Sequence, residues 1–576
     1  MQGSARSSGK GARVWRWKVP CPVRHRVRRR GTSPGEISIP DAHAEGRHHP
    51  HDAQETPGHA ALTLAVLIVG LLPRCWLASI LTLSKDEALY WAWSLRLDES
   101  YALVPVGAIR LSCALLGATE WAVRLPFLLA MTGAAACVYA LARAAGYSAS
   151  TARVSLALFS ANTWFLLAGS QAHPDAFVAL FWTGALASLV RSEASGTRHA
   201  GRWVCAGAVL AALAALSKYT GFLLWPAWVL ARAVAERSQP TRLRRFAVPS
   251  LLWLAVVAPT LLTLAAQRGH MLHVALGLSD LGDCVPPFAR PVAYLLAPLL
   301  LLFSPVYGIY LAGFAASTGT HSDARRSLRL VGVLTASVIG AFAMWGNIKG
   351  NWPLPALWGT IPVGAAWAVK GPWRRASLAA TLFVGTAIAV AVALGVADPD
   401  AASRLVDSCV FFSRINSTYS DTISPYESRH TRARSWLDRA YESYGAQEMT
   451  DSLAARASSC GAGTVVVSNL YEVVYECRFY GRMDNARIVD DARFQMTPEY
   501  LGRDQEAPPR ALYVGLPGSS PSDEVRRKYS ALRLLGTLSV PVGSRGARRY
   551  DLWCGERAQV GGTGAALPPR SRRTVT

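Results

Sequence analysis

Apolar residues in this chain come in long runs separated by short basic or polar stretches, the pattern of helices that cross a bilayer rather than of a soluble amphipathic fold. Crossing the hydrocarbon core takes about 20 residues of helix. Runs of this kind fall at 61–83, 122–142, 153–170, 175–190, 203–217, 221–235, 246–266, 291–315, 328–346, 353–369 and 376–397. They predict about eleven transmembrane helices, with 203–217 and 221–235 short enough to be tilted or partly re-entrant. The first run is too long for a signal-peptide core and is not followed by a small-residue cleavage site, so it is read as a span. After 397 the texture changes. Short β-branched runs at 464–468 and 511–514, with a further candidate at 548–553, read as strands, and 435–442 and 452–457 read as helical. The expectation is a polytopic α-helical membrane protein with a small C-terminal α/β domain. Residues 1–58 form a basic, disordered tail, 59–397 the transmembrane domain, 398–558 the soluble domain and 559–576 a loose tail.

Charge refines this picture. The formal net charge is +23, which raises nucleic acid as a partner, but the basic residues form no face interleaved with aromatics and nucleic acid is set aside. They gather instead in the first fifty residues, in the extreme C-terminus, and in loops carrying Arg143 and Arg153; Arg191, Arg198 and Arg202; Arg237, Arg242, Arg244 and Arg245; Arg325, Arg326 and Arg329; and Lys370, Arg374 and Arg375. With the N-terminus inside and the spans above, all of these loops fall on the cytoplasmic side, as positive-inside requires. The C-terminal domain is then extracytoplasmic, and the membrane is read as the bacterial cytoplasmic (inner) membrane. The ten cysteines show no CxxC or other metal spacing. On an oxidising face Cys409, Cys460, Cys477 and Cys554 are compatible with one or two disulfides, and equally with buried thiols.

The opposite, outer face collects the unusual polar residues. Lys85-Asp86-Glu87 opens an aromatic stretch, Ala88 to Trp93, suited to lying in the interface plane. Its acids read either as a general base or metal ligand, or as a solvated helix start. His173-Pro174-Asp175 opens the fourth span, as simple punctuation or as a second acid turned to the same region. Ser217-Lys218-Tyr219-Thr220 puts a lysine on the outer side against the positive-inside rule. It calls for a phosphate or carboxylate partner, or else snorkels. Asn347 to Pro353, containing Lys349, Asn351 and Trp352, is a second outer lysine among amides and an indole, or an ordinary polar turn.

These segments, in this order, resemble the bacterial membrane glycosyltransferases related to protein O-mannosyltransferases and to the lipid A aminoarabinose transferase, which have the type C glycosyltransferase fold. The resemblance runs through Lys85 to Ser94, Ala122-Val123-Arg124-Leu125-Pro126, His173 to Ala176, Leu216 to Thr220 and Lys349-Gly350-Asn351-Trp352-Pro353, and more weakly through Val467-Ser468-Asn469 and Arg478-Phe479-Tyr480. It implies transfer of a sugar from a polyprenyl-phosphate donor to an acceptor protein, lipid or glycan at the outer face, with inversion. Asp86 matches the general base and Asp175 the second acid. Glu87, Arg124, His173, Lys218, Tyr219, Lys349, Asn351 and Trp352 match substrate-binding positions, with Lys218 and Lys349 suited to the donor phosphate. No cofactor is assigned, and a divalent metal is left open with no ligands assigned.

One departure stands out. Relatives carry an Asp-His-Pro-Pro-like stretch where this chain has Tyr101 to Val106, with Leu103 and Val104 at the Asp and His positions. Competing readings are a diverged non-catalytic member and a transporter or flippase of lipid-linked sugars. Against transport, the chain has no internal repeat, and its polar groups cluster at one face rather than mid-span.

Overall fold

The structure, a computed structural model, describes residues 57–97, 102–194, 197–236, 244–266, 292, 305–316, 323–345, 351–398, 444–490, 499–502, 505–542 and 546–558. The membrane part runs α1 (Pro57–Ile80), α2 (Lys85–Ser94), α3 (Leu103–Leu116), α4 (Glu120–Ala144), α5 (Ala149–Ser160), α6 (Thr163–Ser170), α7 (Asp175–Ala194), α8 (Thr197–Ser217), a 3-10 turn (Tyr219–Leu223), α9 (Leu224–Ala235), α10 (Ala247–Ala266), α11 (Val306–Ala316), α12 (Asp323–Trp345), α13 (Leu354–Trp358), α14 (Ile361–Ala368) and α15 (Pro372–Ala397). Six of the described helices are long and apolar enough to cross a membrane: those holding 60–80, 120–144, 199–217, 244–263, 324–344 and 372–397.

About eleven unbroken spans are therefore not found among the described residues. The run 153–170 is split between α5 and α6. There Asn162 turns the chain: its Oδ1 accepts from the amides of Trp164 (2.9 Å) and Phe165 (3.4 Å), capping α6, and from Tyr307 Oη at 3.2 Å. The run 353–369 is split between α13 and α14 at Gly359-Thr360, and of 291–315 only 292 and 305–315 are described. α3 lies in a stretch read from sequence as an outer loop.

α7 sits at the middle of the bundle. It packs on α4 and α8 and buries Ala176, Val178, Trp182, Ala185, Leu186 and Leu189 around its circumference, as a helix without a solvent or lipid face must. Trp182 meets Trp358 of α13 edge to face at 6.0 Å. α11 and α14 approach backbone to backbone. A Cβ at Gly313 would lie 2.4 Å from the Gly364 amide, and one at Gly364 would lie 2.5 Å from the Ile309 carbonyl, so only glycine fits either position.

The C-terminal part contains α16 (Ala446–Ser459), β1 (Thr464–Ser468), α17 (Tyr471–Phe479), β2 (Arg487–Ile488), β3 (Arg510–Gly515), α18 (Asp523–Lys528), β4 (Tyr529–Val542) and β5 (Gly546–Arg557). The sheet order is β2-β1-β3-β5-β4, with β1 parallel to β2 and β3, and β5 antiparallel to β3 and β4. Alternation assigns the two faces. Val466, Leu512, Val514, Val540 and Leu552 pack with Met449 and Leu453 of α16 and Val473 of α17. Val465, Val467, Ala511 and Tyr513 pack with Val525, Tyr529 and Leu501 on the other side.

Candidate active site

Three of the segments singled out in the sequence converge on Asp175. It begins α7, where the preceding Pro174 has no amide to lose and the Asp175 N–H donates to His173 Nδ1 at 3.3 Å. Lys218 Nζ, at the end of α8 and 43 positions away, donates to Asp175 Oδ1 at 2.5 Å. Asn351 Nδ2, 176 positions away, donates to Oδ2 at 2.5 Å. Trp164 Nε1, on the first turn of α6, donates to the same oxygen at 3.0 Å, and His173 Nδ1 stands 3.6 Å from it. Asp175, Lys218 and Asn351 are all buried, so the charge pair sits in low dielectric, where a lysine lacking its carboxylate would be costly. An ammonium carries three N–H donors and Asp175 takes one of them. Gly221 lets the turn after Lys218 fold down: a Cβ there would lie 2.1 Å from the Ala214 carbonyl. The Tyr219 hydroxyl is also buried beside this turn.

The fourth segment reaches the site through Ala172, three residues before Asp175. Glu87 and Arg124 are both buried and paired side-on, with Nε to Oε1 and Nη2 to Oε2 each at 2.7 Å. Arg124 Nη1 donates to the carbonyls of Ala78 (3.0 Å) and Leu81 (2.6 Å), and Nη2 to Thr82 (2.7 Å), all at the end of α1. The guanidinium thus closes the open C-terminus of that helix while it neutralises the carboxylate. Glu87 in turn accepts from the Ser84 amide (2.9 Å), the reciprocal half of a capping box on α2, and from the Ala172 amide (2.8 Å). That last bond ties the turn leading into His173-Pro174-Asp175 to α2. Burial alone would raise the Glu87 carboxyl, but the Arg124 guanidinium and the Ser84 and Ala172 amides outweigh it and hold it below the ordinary carboxylate range.

Asp86, one residue earlier, points the other way. It is exposed, and its Oδ1 accepts from the Tyr471 hydroxyl at 2.9 Å. Tyr471 opens α17, so the soluble part reaches the first acidic segment directly. The rest of that helix fastens to α2. Phe479 meets Trp91 edge to face at 4.9 Å. The Tyr480 hydroxyl donates to Glu120 Oε1 (2.7 Å) and accepts from the Leu83 amide (2.6 Å). Glu499 binds Arg478 (2.5 Å) and Arg96 just past the end of α2 (2.8 Å). The aromatic stretch read as lying in the lipid interface is buried here, with Tyr90, Trp91 and Trp93 at most 9% exposed.

Among the candidates, then, Asp175, Lys218, Asn351 and His173 are brought together, and Trp352 follows Asn351 in the chain, packed with Ile339 and Ala343 of α12. Glu87 and Arg124 bind each other and backbone. Lys349 lies outside the described residues. Trp164 and Tyr471 went unnoticed in the sequence. The first was hidden in an apolar run, and the second, in the soluble part, carries no local signal linking it to residue 86. Among the described residues no three His, Cys, Asp or Glu side chains form a metal-binding group. A hollow of about 640 Å³ in the soluble part is lined by Asp490, Ser520, Pro521, Ser522 and neighbouring charged residues of α18, none of them a candidate.

Residues 102–262 match the family described as dolichyl-phosphate-mannose-protein mannosyltransferase. No curated protein matches the chain by sequence. Among solved structures, ArnT from Cupriavidus metallidurans in the apo state aligns with a TM-score of 0.57 at 13% identity, over 86% of this chain and 97% of that one. The same protein bound to undecaprenyl phosphate aligns with a TM-score of 0.57 at 14% identity, over 87% and 98%. The oligosaccharyltransferase AglB from Archaeoglobus fulgidus aligns at 0.43 and 12% identity, over 73% and 64%. The chain is thus a multi-pass membrane protein with the type C glycosyltransferase fold. Within that class it resembles ArnT, solved with undecaprenyl phosphate bound, and over 102–262 the dolichyl-phosphate-mannose-protein mannosyltransferase family.

Proposed function

We propose that the protein transfers a sugar from a polyprenyl-phosphate donor to an acceptor hydroxyl or phosphate at the outer face of a bacterial cytoplasmic membrane, inverting the anomeric carbon, with its soluble domain on that same face. The observation that carries this reading is the convergence of Lys218 and Asn351 on Asp175 from 43 and 176 positions away along the chain, next to the Lys85-Asp86-Glu87 segment, which offers one exposed carboxylate, Asp86. In this scheme Asp86 takes the acceptor's proton as its oxygen attacks, because an exposed acid can meet an incoming hydroxyl while the buried Glu87 cannot. Asp175 holds Lys218 in place, and the lysine's remaining N–H donors face the departing phosphate, with Lys349 as a second cation. The anomeric carbon–oxygen bond to the donor phosphate breaks as the acceptor oxygen bonds on the opposite side.

The test is Asp86→Asn in membranes supplied with the cell's own polyprenyl-linked sugars. Transfer to the acceptor should fall by about 100-fold or more, with the protein's thermal stability kept, since Asp86 is exposed. Full transfer by this variant removes Asp86 from the mechanism.

A further inference from the structure

The soluble part holds two thiols that its folding brings into contact. On β5, Cys554 pairs with Leu512 of β3 and lies two positions from Leu552. Both leucines belong to the sheet face covered by α16 and α17, so the period-2 alternation turns Cys554 to that face. Cys460 is the C-cap of α16, one turn beyond Leu453 and Ala457, which pack on the same face. The two side chains interact with each other, and Arg533, opposite Cys554 on β4, acts on Cys460 as well. Both are only partly covered, whereas Cys477 is sealed inside α17.

We propose that Cys460 and Cys554 are a modification site: they close into a disulfide joining the end of α16 to the last strand of the sheet. The setting rests on the reading that this domain faces an oxidising compartment. The oxidant is a small-molecule or protein disulfide. One cysteine, as thiolate, attacks it and expels one thiol, forming a mixed disulfide. The second sulfur then displaces the other thiol and loses its proton, so two protein thiols and one disulfide become one protein disulfide and two thiols. Closure brings the sulfurs to about 2.05 Å. Burial, with the Cys554 sulfur alongside, pushes the Cys460 thiol up to about 12.

The experiment uses the full chain. Intact cells are treated with N-ethylmaleimide, and the protein is purified, digested without reductant and read by mass spectrometry. A linked peptide pair containing Cys460 and Cys554, absent from Cys460→Ser, is expected. A link from either cysteine to Cys409 or Cys477 overturns the pairing. If both carry maleimide, purified reduced protein is exposed to oxidised glutathione. Formation of the same link then upholds the pair and instead overturns the extracytoplasmic reading. Failure to form it overturns the pair.

Discussion

At Arg124 every donor of one side chain is accounted for by acceptors on α1 and Glu87, and this sets what substitution does. Arg124→Ala leaves a buried carboxylate and several helix-end carbonyls unpaired. It should cost about 3–5 kcal/mol, read as a large fall in the detergent-solubilised melting temperature. Arg124→Lys keeps the charge but not the fork and should recover only part of the loss. The pH dependence follows from the depressed Glu87 carboxyl. A carboxyl held below its unfolded value contributes stability above about pH 4.3, the unfolded value, and loses it as pH falls through the lower folded one. Stability should therefore be flat through the mildly acidic range and drop only below it, and Glu87→Gln should be less stable at neutral pH and lack that acid-side step. Melting curves across pH for both proteins check this. From sequence Glu87 and Arg124 read as ligand-binding groups. The acid and the arginine were visible, but a ligand role and a buried ion pair are written with the same letters.

Elements were legible where periodicity was clean and obscured where capping or bulges interrupted it. The run at 464–468 is β1 to the residue, because β-branched residues between turns leave little choice. β4 escaped notice. Its register shifts between Ser530 and Arg533 and between Leu534 and Gly536, so inward and outward positions fail to alternate over its first half, and Pro541 disguises the regular second half. The break between α5 and α6 did leave a signal, since Asn162-Thr163 inside an apolar run is an N-cap pair. The α2–α17 contact was carried by Arg478-Phe479-Tyr480, which stood out only as a resemblance. Its physical content is that Phe479 fills a site against Trp91 while Tyr480 bridges to Glu120. Phe479→Ala should cost about 3–5 kcal/mol and make residues 444–558 more sensitive to protease than the membrane helices, which limited proteolysis would register.

For the whole molecule, the membrane part and the soluble part meet at the first acidic segment, where Tyr471 bonds Asp86. Asp175, Lys218 and Asn351 come from the membrane helices, and Tyr471 comes from the sheet-bearing part. Legibility fell with distance along the chain. Each polar segment was visible locally, and their common placement followed from charge rules. Which atoms meet depends on helix packing, which no local pattern encodes. If the orientation proposed above is right, a cysteine placed at Ser520 should react with a membrane-impermeant maleimide in intact cells. One placed at Arg374 should react only after permeabilisation. The reverse pattern would invert the topology.

The two ways in which α2 is held differ in kind. Toward the bilayer it is riveted by a dry, fully saturated ion pair that water cannot replace. Toward the soluble part, its candidate base accepts from the Tyr471 hydroxyl at a wet surface, a hydrogen bond that an incoming hydroxyl can replace in kind. In the proposed reaction an arriving acceptor would take Tyr471's place on Asp86 while the scaffold beneath stays still, the tyrosine serving as a placeholder between turnovers.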